Sequence, residues 1–230
     1  MTERQIVAGG EPWGSPGAAK FLAYLKAIVG DESPRICFLP TAAGDSDSYV
    51  AAFLVEMLNA GFRPSVAKLF DRAGQDLRSR LLDQDLIYVG GGNTANMLAV
   101  WRTHGVDELL REAWENGVIL AGTSAGANCW FEASVTDSFG PLGPLRDGLG
   151  FLAGSYCPHY DSEPERRPTF ETLIASGFPE GYAADDTVAL HFVGTDLREV
   201  VAPDEESFAY RVTAAEGSAS EASLKPRLLK

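Results

Sequence analysis

Apolar positions along this chain fall into short strand-length runs separated by stretches of helical period. Ile6-Val7-Ala8 is a strand that runs into Gly9-Gly10. Residues 17–29 set Phe21, Leu22, Leu25, Ile28 and Val29 on one helical face. Arg35 to Leu39 reads as a buried strand closed by Pro40. The polar stretch 45–48 offers N-caps for a helix over 49–59, with Gly61 as its stop. Strands are expected at 66–70 and 86–89, with a short helix at 76–82 between them. Helices follow near 95–102 and 107–115, then the apolar run Val118 to Ala121. This alternation predicts an α/β fold, a three-layer αβα sandwich with a mostly parallel sheet.

Beyond Trp130 the pattern loosens. Residues 137–150 are rich in Gly and Pro and read as a loop, 151–157 as a strand and 169–175 as a helix. Strands are expected at 188–193, 199–202 and 207–212. The Ala/Ser/Glu-rich segment from Ala214 reads as an exposed tail with a mobile first half, which leaves one domain over residues 1–213.

Composition narrows the function classes. The 230 residues carry a net charge of −13, and the pI is near 4.6. Such a surface repels phosphate backbones, so nucleic acid is not an expected partner. No apolar run approaches the length of a membrane span, and the opening Met-Thr-Glu-Arg-Gln has no signal-peptide character. Cys37, Cys129 and Cys157 fit no metal spacing and sit in apolar runs, which points to buried thiols and a cytoplasmic setting.

The chemistry concentrates at Gly122-Thr123-Ser124-Ala125-Gly126. A G-x-S-x-G match between a strand and a helix-compatible run is the context of a nucleophile elbow. The serine sits at the tip of a strained turn, so its neighbours two residues away must lack a Cβ. With 24 glycines in the chain, the pattern needs a base to support it. Of three histidines, His104 reads as a helix cap beside Gly105 and His191 as a packed strand residue. His159 follows Pro158 just past a strand end, where side chains reach the carboxyl-edge crevice. Asp185 and Asp186, in a turn ahead of a strand, are the candidates to orient the imidazole; Asp161 would need a tight local fold-back. Ala125 and the turn Gly90-Gly91-Gly92 are candidate backbone oxyanion donors. Gly90-x-Gly92-x-x-Ala95 also formally matches a dinucleotide fingerprint. The acid that fingerprint requires is missing, since the next strand ends in Ala121-Gly122.

Four motifs together resemble one family. They are Val-Gly-Gly-Gly-Asn-Thr at 89–94, Ala-Gly-Thr-Ser-Ala-Gly-Ala at 121–127, Pro-His at 158–159 and Asp-Asp at 185–186. The set is similar to the peptidase E and cyanophycinase group of serine peptidases, on a class I glutamine-amidotransferase-like fold. The resemblance implies Ser124 as nucleophile, His159 as base and Asp186 as third member, where peptidase E carries glutamate. It implies oxyanion donors at Gly92 and Ala125. It also implies an arginine for the N-terminal aspartate of small substrates, Arg166 or its neighbour Arg167, with Asn93 as a further substrate contact. No metal or organic cofactor is implied. The alternative is a non-catalytic or nucleotide-binding regulatory protein on the same fold.

Overall fold

A computed structural model describes residues 3–10, 12–71 and 76–230. Met1 and Thr2 of the expected N-terminal lead-in lie outside the described residues. The first half alternates β1 (Gln5–Gly9), α1 (Ala18–Val29), β2 (Arg35–Leu39), α2 (Asp47–Asn59), β3 (Arg63–Val66), α3 (Leu77–Leu82), β4 (Leu86–Val89), α4 (Thr94–His104), α5 (Val106–Glu115) and β5 (Ile119–Gly122). The second half holds α6 (Ala125–Asn128), β6 (Phe131–Thr136), β7 (Gly143–Leu145), β8 (Leu152–Cys157), α7 (Arg166–Ala175), β9 (Gly181–Ala184), β10 (Ala189–Val193), β11 (Asp196–Ala202), β12 (Ala209–Ala215), β13 (Ser218–Leu224) and β14 (Arg227–Leu228).

An eight-stranded sheet runs β14-β11-β10-β1-β5-β4-β2-β3. Its five strands from β1 to β3 are parallel, as expected. β10 and β11 close the other side in antiparallel register, so the sheet is mixed. The strands are apolar on both faces because both faces are covered. Val7, Phe38 and Tyr88 pack with α1 and α2 on one side. Their neighbours Ile6, Cys37 and Ile87 pack with α3, α4 and α5 on the other. That alternation is the two-residue period of a strand divided between two cores. Each fully buried large side chain, such as Trp101 or Phe38, contributes about 1.5–3 kcal/mol over its exposed state.

A second, six-stranded sheet, β13-β12-β9-β8-β6-β7, was not expected. α7 covers it through Phe170 and Ile174. The two sheets meet where Phe131 stacks on Tyr156 at 5.1 Å and meets Phe192 edge-on at 5.9 Å.

Several expected boundaries move. The strand expected at 66–70 lies at Arg63–Val66. Beyond it Ala67 and Leu69 stay buried while Phe70 is 63% exposed. α7 begins at Arg166, three residues early, because Pro168 is tolerated in a first helical turn. β7 lies inside the expected loop. The helix after the elbow is a four-residue turn that gives way to β6. The segment from Ala214 is no loose tail: β13 pairs with β12 from Ala215↔Ser218 to Ala209↔Leu224, and β14 joins the edge of the large sheet. Among the described residues no helix is long and apolar enough to cross a membrane.

Candidate active site

β5 lies between β1 and β4 in the parallel part of the large sheet, and its four residues are buried. The chain leaves it through Thr123 and reverses at Ser124, whose backbone is held at φ 53°, ψ −116°. That is a sparsely populated conformation for a residue with a side chain. The flanking glycines make it possible. A Cβ on Gly122 would lie 2.5 Å from the Gly126 carbonyl oxygen, and one on Gly126 would lie 2.2 Å from that of Val89. Both approaches exclude any larger residue.

His159 also has a positive φ, 56°, and follows β8 of the smaller sheet. The backbone turn brings its imidazole to Ser124 across 35 residues of chain: Nε2 lies 3.0 Å from Ser124 Oγ. The other ring nitrogen, Nδ1, lies 2.6 Å from Asp186 Oδ1. An ionised carboxylate only accepts, so Nδ1 carries the proton and leaves Nε2 as acceptor for the serine hydroxyl. The hydrogen bond from His159 holds the Asp186 carboxyl below the usual carboxylate range, against the opposing effect of its partial burial.

The paired acids have different surroundings. Asp185 Oδ2 accepts from the Phe208 amide at 2.8 Å and from the Tyr210 hydroxyl at 3.3 Å. Burial pushes its carboxyl up, and Oδ1 is enclosed with no partner among the described residues. Asp161 reaches across the chain instead of folding back locally: its Oδ1 accepts from the Asp186 amide at 2.8 Å. Nothing in the sequence marked that contact.

The Gly-rich turn after β4 is nearly spent on internal bonds. Gly90 donates to Leu39 and Asn93 to Ala42, while Gly91 donates to the Tyr49 hydroxyl at 3.2 Å. Among the described residues the Gly92 amide has no acceptor, nor does that of Ala125. Gly92 sits at φ +136° with its Cβ position 2.2 Å from the Ala42 carbonyl oxygen, so only glycine fits there. The Gly91 Cβ position lies 3.3 Å from Ser124 Cβ, which sets this turn directly against the serine.

The expected substrate contacts are engaged elsewhere. Arg166 is 4% exposed; it donates from Nε to Glu163 at 2.7 Å and from Nη1 to the Val135 carbonyl at 3.0 Å. Arg167 pairs with Glu221 and lies over the rings of Tyr160 and Tyr210. Asn93 caps α4, accepting from the Asn96 amide and donating to the Ser138 carbonyl. None of the three lines the crevice of about 390 Å³ beside Ser124 and His159. Its walls include Pro12, Ser15, Tyr156 and Thr187, which sequence reasoning did not single out. Thr187 has φ 74°, a third strained residue at this rim, and no composition signal foretells such a conformation. The three cysteines are buried and unpaired.

The model of Peptidase family S51 matches residues 6–200. The uncharacterized peptidase YgaJ of Bacillus subtilis is 51% identical over 229 residues, covering 98% of this chain and 99% of that protein. Peptidase E of Pasteurella multocida is 31% identical over 188 residues, 77% of this chain and 80% of the relative. The fold agrees with the crystal structure of a peptidase from an acI-B1 Actinobacterium, at TM-score 0.75 and 20% identity over 97% of this chain and 95% of the other. The family match spans both the serine turn and the histidine loop, and the shared residues run nearly end to end. The chain therefore belongs to peptidase family S51 and is a peptidase.

Proposed function

We propose that this peptidase is of the serine type and hydrolyses small peptides through an acyl-enzyme on Ser124. The observation that carries the reading is one imidazole bonded on both sides, to Ser124 at 3.0 Å and to Asp186 at 2.6 Å. Ser124 Oγ attacks the scissile carbonyl carbon while its proton passes to His159 Nε2. Asp186 stabilises the resulting imidazolium. The oxyanion accepts from the amides of Gly92 and Ala125, which cost no reorganisation because they have no other acceptor. The C–N bond then breaks, and Nε2 returns its proton to the departing amine. Water adds to the ester, giving its proton to Nε2, and the acid product leaves as Ser124 recovers its own.

A crevice of about 390 Å³ suits a short peptide rather than a folded chain. N-terminal aspartate is the finer reading. It requires Arg166 or Arg167 to exchange its present carboxylate for that of the substrate, because both are paired to glutamates. The proposed location is the cytoplasm, in keeping with three free thiols. The test is a panel of Asp-X and neutral dipeptides, together with mass analysis after a fluorophosphonate. Hydrolysis and a single adduct on Ser124 are expected. A Ser124→Ala variant that cleaves at the wild-type rate would exclude the mechanism.

A further inference from the structure

The β12–β13 hairpin lies beyond residue 200, where the family match ends. It nevertheless reaches both sides of the His159–Asp186 pair. β12 is bonded to β9, the strand that leads directly into Asp185 and Asp186, with Ala209 opposite Ala184. Across the hairpin, Glu221 sits opposite Val212 and turns its carboxylate to the histidine loop. One oxygen accepts from the Tyr160 hydroxyl at 2.8 Å, and the other pairs with Arg167. Tyr160 is the residue after His159. The Arg167 guanidinium lies 4.4 Å from the Tyr160 ring and 4.6 Å from the Tyr210 ring. Tyr210 in turn donates to Asp185, the residue before Asp186.

Two short chains of contact therefore start at Glu221. One ends beside the base and the other beside its orienting acid. A cation over two aromatic faces with a carboxylate at its edge is a rigid arrangement. His159 needs such support because its own backbone sits at φ 56°.

We propose that Glu221 is a positioning residue for peptide hydrolysis, holding the histidine loop and the acid turn in register from a hairpin outside the matched family region. This rests on the serine reading above. Glu221 touches no reacting atom; it acts through Tyr160, Arg167 and Tyr210.

The experiment compares wild type with Glu221→Ala, Glu221→Gln and Glu180→Ala. Glu180 anchors the same hairpin through the Ala214 amide and Arg211, away from the histidine loop. Turnover is expressed per reactive serine, counted by the fluorophosphonate end point, so that unfolded enzyme does not enter. Glu221→Ala is expected to lower kcat and the rate of phosphonylation about tenfold or more, with KM within a factor of about two. Glu221→Gln, which keeps an acceptor for Tyr160, is expected to recover most of the loss. Glu180→Ala is expected to match wild type. An unchanged kcat in Glu221→Ala, or an equal loss in Glu180→Ala, overturns the proposal while leaving the serine reading intact. A wild type inert to the phosphonate removes the serine reading and the role of Glu221 with it.

Discussion

Gly122 and Gly126 approach so closely that a Cβ on the first would stand 2.5 Å from the carbonyl oxygen of the second. The motif around Ser124 is therefore a packing requirement before it is a chemical one. At Gly126 the obstacle is Val89 of β4, first its carbonyl, which cannot yield unless the strand itself shifts. Gly126→Ala is expected to cost about 3 kcal/mol or more, lowering the melting temperature by roughly 10 °C for a chain of this length. Thermal unfolding followed by circular dichroism reads it directly; an unchanged melting point would mean that the elbow relaxes freely.

The two neighbouring acids should separate cleanly in mutants. Asp186→Asn leaves the fold in place but removes the charge that fixes the imidazole tautomer, so kcat should fall about a thousandfold. Its pH signature has a definite sign. The native carboxyl is held low by His159, so the bond contributes stability above the ordinary carboxylate range and loses it as pH falls through the lowered value. The melting-point gap between wild type and Asp186→Asn should be open at pH 6 and narrow steadily as pH falls through and below the ordinary carboxylate range. Asp185 behaves oppositely. Burial raises its carboxyl, so ionisation works against the fold as pH rises. Asp185→Asn should melt no lower than wild type at pH 7 and keep most of its activity. A large loss of kcat there would reverse the assignment of the two acids.

Arg167 separates a substrate role from a structural one. Its guanidinium lies over Tyr160 and Tyr210 and pairs with Glu221. Arg167→Ala should reduce kcat/KM for Asp-X and for neutral dipeptides by the same factor. A loss at least tenfold greater for the acidic substrates would show instead that the arginine swings to meet them.

How much of this was legible depends on what each residue contributes to a pattern. The parallel strands announced themselves because they are buried on both faces and read as continuous apolar runs. The serine turn was readable because steric exclusion leaves glycine no substitute. β3 was misplaced because Pro64 disguises an edge strand, where a missing donor costs little. β13 was missed because Ser-Ala-Ser-Glu-Ala-Ser-Leu lies on an exposed sheet face and offers almost no hydrophobic alternation. His159 and Asp186 stood out as residue types, but their meeting depends on backbone turns that leave no compositional trace. The resemblance assigns Arg166 or Arg167 to a substrate carboxylate, yet each is paired with a glutamate of the chain. Glu163 lies three residues before Arg166, but the partner of Arg167, Glu221, is brought close only by the hairpin.

Ser124 hangs from the larger sheet and His159 from the smaller, and Asp186 occupies the connection between them. These three residues thus span a joint between two slabs, where Phe192 of the larger sheet meets Phe131 and Tyr182 of the smaller. Shear at that joint by a single ångström would part the hydroxyl from the imidazole while each slab kept its own ladder of bonds. On gentle heating, catalysis should fade before the circular dichroism does, because the enzyme depends on how the halves sit together and not only on whether each is folded.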